Sequence, residues 1–222
     1  MENTGDDSNL GKDIGDQVED PPPYIAGGSG SSAEKGSNVV KRFSEEAREA
    51  LRDKGFVIYE LNGESIEDQV KAGRQFWSDN HFGFDSLPSR SSEVAINPNQ
   101  LFLPHAKQGE LAYQEKLLEV FNDQASNRIA GVEAVVGSAP DYTSLAFAHL
   151  DATTKKGEPD YLFGENYGCL FTRTSTPNKY DDRLLVHVGN FTPQYGGLRV
   201  VDDWYKKHGY QGISLAPLFV PV

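Results

Sequence analysis

Cysteine is almost missing from this chain: Cys169 is the only one in 222 residues. One thiol forms no intrachain disulfide, so the fold must rest on burial and hydrogen bonds, and a reducing compartment is favoured. A structural zinc site is excluded as well, because it needs closely spaced pairs of Cys or His. Long apolar runs are also lacking. The stretch from Leu145 to Leu150 is among the longest, far short of the roughly 20 residues that cross a bilayer. The N-terminus MENTGDDSNL has neither the basic segment nor the apolar segment of a secretory signal. These absences set a cytoplasmic location without membrane insertion as the expectation.

Nucleotide loops are missing too. No G-x-x-x-x-G-K-[ST] occurs, and no G-x-G-x-x-G follows a strand, so the backbone cradles that hold phosphates are not encoded. No G-x-S-x-G elbow occurs, and the serines beside glycine in GGSGSS belong to the N-terminal stretch. No cofactor is indicated.

Positive charge is in short supply. Lys and Arg number 21 against 33 Asp and Glu, for a formal net charge of -12. Such a surface repels phosphate backbones, which argues against direct nucleic-acid binding. The converse, an acidic nucleic-acid mimic that occupies a basic protein, stays open. The charge is unevenly spread: residues 1–38 hold eight acids and two lysines, hence half of the net charge.

Those 38 residues are rich in Gly, Ser, Asp and Glu, with Tyr24 as their one aromatic. They bury too little apolar surface to offset the entropy of ordering, so the sequence predicts a disordered acidic arm over 1–38. The expected globular domain is 39–222. Its fold class is predicted as α+β, a single domain with helices and strands in the N-terminal half and a mostly antiparallel sheet in the C-terminal half.

Local signals fix several elements. Ser44 caps a helix that opens on Glu45 and Glu46 and stops at Gly55. FVIYEL, residues 56–61, reads as a buried strand. Ile66, Val70, Gly73 and Trp77 share one helical face. EVAIN at 93–97 and QLFLP at 100–104 read as an extended pair. GELAYQEKLLEVFNDQA at 109–125 is a helix with Leu111, Leu118, Phe121 and Ala125 on one side. VEAVV at 132–136 is a strand. SAPDYTSLAFAHL is a helix buried all round, with Pro140 in its first turn. YLFGENYGCLFTRT, LLVHVGNF, LRVV and ISLAPLFVPV are strand-like, and DDWYKKHG reads as a short helix between the last two.

The site candidates are few. His149, Asp151 and His187 make a His, His and carboxylate set that suits a small hydrolase or a catalytic ion. Set against this, His149 shares a stripe with Tyr142 and Leu145, the pattern of a core histidine. Cys169 beside His149 or His187 is the only candidate nucleophile pair; among aromatics, the thiol equally fits a small core residue. Arg173 and Lys179, between two strands, present donors that suit an anion. The pairs Asp181–Asp182 and Asp202–Asp203 fit turn and cap chemistry better than catalysis, since adjacent side chains diverge.

Within the arm, Pro21, Pro22, Pro23 and Tyr24 spell PPPY. Pro21, Pro22 and Tyr24 match the P-P-x-Y pattern that WW domains bind through a preformed polyproline II helix. The arm resembles those of viral structural proteins and membrane-protein adaptors that recruit ubiquitin ligases through this motif. The leading expectation is therefore a non-enzymatic binding or structural protein, whose arm offers PPPY to a protein partner.

Overall fold

The structure, a computed structural model, describes residues 40–77, 85–106, 110–125, 127–164, 171–178, 181, 184–192, 197–205 and 212–222. The chain divides between Gly36 and Ser37 into two units. The first lies wholly outside the described residues, and with it the arm and its PPPY. The second is a single α+β domain, and its described residues form four α-helices and nine strands.

The first helix, α1 (Glu45–Asp53), starts where the Ser44 hydroxyl accepts the Ala47 N–H at 3.2 Å. Glu45 and Glu46 favour the positive end of its dipole. It ends on Gly55, whose φ of 81° lets the Gly55 and Phe56 N–H groups turn back onto the Arg52 and Leu51 carbonyls. β1 (Val57–Asn62) follows, then α2 (Ile66–Lys71), which is closed at its start by a Ser65–Asp68 capping box. β2 (Phe76–Trp77), β3 (Ser91–Ile96), α3 (Leu111–Asp123) and β4 (Val132–Val135) lead to α4 (Ala139–Thr154). The C-terminal part supplies β5 (Phe171–Pro177), β6 (Leu184–Thr192), β7 (Gly197–Tyr205), β8 (Ile213–Ser214) and β9 (Leu218–Pro221).

The strands form two sheets. Sheet 1 has the order β1-β3-β9-β4 and is antiparallel throughout. Sheet 2 has the order β2-β7-β6-β5-β8. Its centre is antiparallel, and its two outermost pairs, β2 with β7 and β5 with β8, are parallel. The β2–β7 pairing requires glycine at 197: a Cβ there would lie 2.2 Å from the Gln75 carbonyl oxygen.

Strand alternation assigns the faces. Val94, Ile96, Leu218 and Val220 of sheet 1 join α4 and Val186, Val188, Leu198 and Val200 of sheet 2 in one core. Ala95, Ala134 and Phe219 point the other way, onto α1 and α3, in a second core. Helix α4 thus lies between the sheets. Its residues 139 to 147 are all buried, as its composition predicts.

Several expectations are corrected. FVIYEL is an edge strand, and of β1 only Leu61 is buried. Val70 is exposed, Gln69 takes the buried place beside Ile66, and Trp77 belongs to β2. QLFLP is irregular apart from Gln100, which ends a 3-10 turn over Pro98–Gln100, and β3 pairs with β1 and β9 instead. In α3 the buried residues are Gln114 and Leu118, since Gln114 Nε2 reaches the Ala106 carbonyl at 2.6 Å. Ala125 lies outside that helix and is exposed. YLF at 161–163 is a turn, with Phe163 at φ 65°. DDWY continues β7 rather than opening a helix, because the sheet supplies a neighbour for its backbone. ISLAPLFVPV is split between sheets: β8 joins sheet 2, and β9 crosses into the middle of sheet 1. Among the described residues no helix is long and apolar enough to cross a membrane.

Candidate functional site

The polar residues that the sequence singles out are distributed by α4 and sheet 2. The Ser138 hydroxyl and the Asp141 carboxylate cap the start of α4 reciprocally. Asp141 also accepts the Arg90 backbone N–H at 2.7 Å and its guanidinium at 3.0 Å. Further along α4, His149 is buried. Its Nδ1 lies 2.7 Å from the Tyr59 hydroxyl, and its Nε2 lies 3.1 Å from Asp160 Oδ2. The carboxylate only accepts, so Nε2 donates to it and Nδ1 accepts a hydrogen bond from the Tyr59 hydroxyl. This chain ties β1, α4 and the segment after α4 together. Burial, and then the nearby Asp160 charge, push the Tyr59 phenol up to about 12, so it stays protonated.

Asp151 follows two residues later, roughly 200° around the helix, and meets a different partner. Arg74 clasps it with two hydrogen bonds of 2.8 and 2.5 Å. Those bonds hold the Asp151 carboxyl below its ordinary value and raise the Arg74 guanidinium. The guanidinium also rests on the Phe147 ring, 5.2 Å from its centroid.

His187 sits on the far side of sheet 2. Val186 and Val188 of β6 face α4, so His187 between them faces away. In register it stands opposite Arg173 of β5, and both are fully buried. Burial, then the Arg173 charge, lower the His187 ring to about 3, which keeps it neutral. His149 and Asp151 therefore share a helix but diverge, and His187 lies across a sheet from both. Among the described residues no group of three or more His, Cys, Asp or Glu is placed to hold a metal ion. Cys169 and Lys179, like Pro21, Pro22 and Tyr24, lie outside the described residues. Of the acidic pairs, Asp181 takes a turn, its N–H bonded to Asn178 Oδ1 at 2.9 Å; Asp182 lies outside the described residues, and Asp202 and Asp203 stand in β7.

A concave feature that sequence reading missed lies elsewhere. A pocket of about 210 Å³ opens where β1 begins, β3 ends and α3 finishes. Phe56, Phe102, Phe121, Phe219, Leu101, Leu103, Pro104 and Pro217 line it, with Asn97, Gln100, Gln124 and Asn127. Phe219 anchors the wall, edge-on to Phe56 at 4.5 Å and to Phe121 at 5.8 Å. Asn97 holds the loop, donating to the Lys54 carbonyl and accepting from the Asn99 N–H. Asn127 closes the end of α3 on the Phe121 carbonyl and the Gln124 side chain. Among the described residues no charged side chain lines this pocket, although the chain carries -12. The clue in the sequence is the run QLFLP behind Pro98 and Asn99, apolar residues in a segment punctuated as a loop. The chain matches no known protein family, no curated protein and no solved structure.

Proposed function

We propose that this chain is a non-enzymatic binding protein, and that its pocket takes one aromatic or branched apolar side chain of a protein partner. The pocket's chemistry and size carry this reading. An apolar cavity of about 150 Å³ holds a benzene ring, so 210 Å³ suits one large side chain. The aromatic walls give an incoming ring edge-to-face contacts. The exposed amides of Gln100 and Gln124 stand where a partner's backbone would pass. The groups suited to acid–base work, by contrast, are tied to internal partners: His149 to Tyr59 and Asp160, Asp151 to Arg74.

Titration of the isotope-labelled chain with N-acetyl-phenylalaninamide tests the pocket. Millimolar ligand should shift the ring resonances of Phe56, Phe121 and Phe219 and leave those around His149 in place. Saturable shifts elsewhere, or none, would sink the reading.

The arm, residues 1–38, is the second proposed contact. Pro21, Pro22 and Tyr24 fit a WW groove, and Tyr24→Ala should abolish capture of the chain by an isolated WW domain. Capture that survives the substitution removes that contact, and the pocket reading stands apart from it.

A further inference from the structure

Among the described residues the two sheets have four outer edges, and three of them are blunted. β2 and β8 are two residues long each, too short to template another strand. β4 is covered by a side chain: Asn122 of α3 donates to the Ala134 carbonyl at 2.8 Å and accepts the Ala134 N–H at 3.2 Å. One amide thereby takes the place of a neighbouring strand. No described residue covers β1 in this way. It is six residues long, and its ladder runs to β3 alone. In an antiparallel pair alternate residues turn their N–H and C=O groups away from the neighbour. Among the described residues no backbone or side-chain group bonds those outward groups of Val57 to Asn62. Proline, an inward charge or a bulge would blunt such an edge. None of these interrupts β1, whose register with β3 is continuous from Val57 to Asn62.

We infer that β1 accepts an extended segment of a partner protein as a fifth strand of sheet 1. Open backbone donors and acceptors at strand spacing are met by another extended backbone, and strand addition gains affinity mainly through those main-chain bonds. Charge selects among occupants. Glu60 lies on β1, and Glu64, Glu67 and Asp68 follow it, on a chain of net charge -12. A second copy brings like charge to the seam, whereas a segment with lysine or arginine at alternate positions complements it. The exposed Val57 and half-buried Ile58 and Tyr59 offer apolar neighbours to the residues between. The inference stands apart from the pocket reading, since it rests on the β1 backbone rather than on any pocket side chain.

Hydrogen exchange on the full chain tests it, with a synthetic peptide of alternating valine and lysine as the probe. In the free chain, alternate β1 amides should exchange fast and those bonded to β3 slowly. The peptide should slow the fast set at least tenfold. Replacing its lysines by glutamates, or methylating its alternate backbone nitrogens, should weaken that protection at least fivefold. Glu60→Lys should weaken binding of the lysine peptide about threefold, the scale of an exposed ion pair; the Glu60–Arg42 pair it removes is itself exposed. Any of four results would overturn the inference: slow exchange along all of β1 in the free dilute chain, no protection from millimolar peptide, protection indifferent to N-methylation, or protection that rises with protein concentration alone and so assigns the edge to a second copy.

Discussion

Helix α4 and the pocket at the end of α3 treat polarity in opposite ways. Around α4, polar side chains are withdrawn from water and paired: His149 with Tyr59 and Asp160, Asp141 with Arg90, and the Tyr142 hydroxyl with the Ala216 carbonyl and the Gly137 N–H. At the pocket, Gln100 and Gln124 are exposed above an aromatic floor. A paired buried group stabilises little on balance but costs much when its partner is removed. The exposed Gln100 amide costs nothing to the fold and remains open to a ligand, as does the Gln124 amide nitrogen, whose Oε1 accepts from Asn127. The first arrangement specifies a structure; the second suits recognition.

Two measurements sharpen that contrast. The larger effect concerns His187, held in its buried place as a neutral ring. Its folded value is lowered to about 3, while an unfolded chain binds the proton near 6.5. The unfolded state therefore carries more protons between these values, so stability is complete above pH 6.5 and falls as the pH drops toward 3. At about 1.4 kcal/mol per pKa unit, this outweighs a single hydrogen bond. Urea melts across that range, with the His187 ring followed by NMR, check it; a ring that gains its proton near pH 6.5 in the folded chain breaks the argument.

The smaller effect compares the two regions directly. His149→Leu strands the buried end of the Tyr59 hydroxyl and should cost about 1–3 kcal/mol. Gln100→Ala at the pocket rim should change stability by less than about 0.5 kcal/mol while weakening binding of N-acetyl-phenylalaninamide. Equal losses from the two substitutions in denaturant melts would erase the distinction.

Much of the local structure was legible because its signals are short-range. Ser44 and Gly55 delimit α1 through bonds that span a few residues. The density of apolar residues in SAPDYTSLAFAHL favours burial on every side, and residues 139 to 147 of α4 are all buried. His149 on the Tyr142–Leu145 stripe reads as a hydrogen-bonded core histidine, and its bonds agree, although its partners Tyr59 and Asp160 carry no signal of their own. The misses share a cause. DDWY resembles a helix start by composition, yet β6 offers it a ladder. Leu111 looks like the core residue of α3, yet the Ala106 carbonyl needs a donor and Gln114 supplies it. The pocket gathers residues from near 56, 100, 121 and 219, and no window along the chain contains them together.

By itself, then, the sequence determined the acidic balance, the α+β class, the caps of α1, the place of Pro140 in the first turn of α4 and the burial of that helix's first half, because these follow from charge counts and from contacts within one or two turns. Only the tertiary structure decided that β9 leaves its neighbours to fill the middle of sheet 1, that His149 and His187 lie on opposite sides of sheet 2, and that Asn122 covers β4 while no described residue covers the outer edge of β1. Those outcomes depend on which backbone finds which neighbour across the chain, and hydrogen-bond pairing between distant strands leaves almost no trace in the residues on either side.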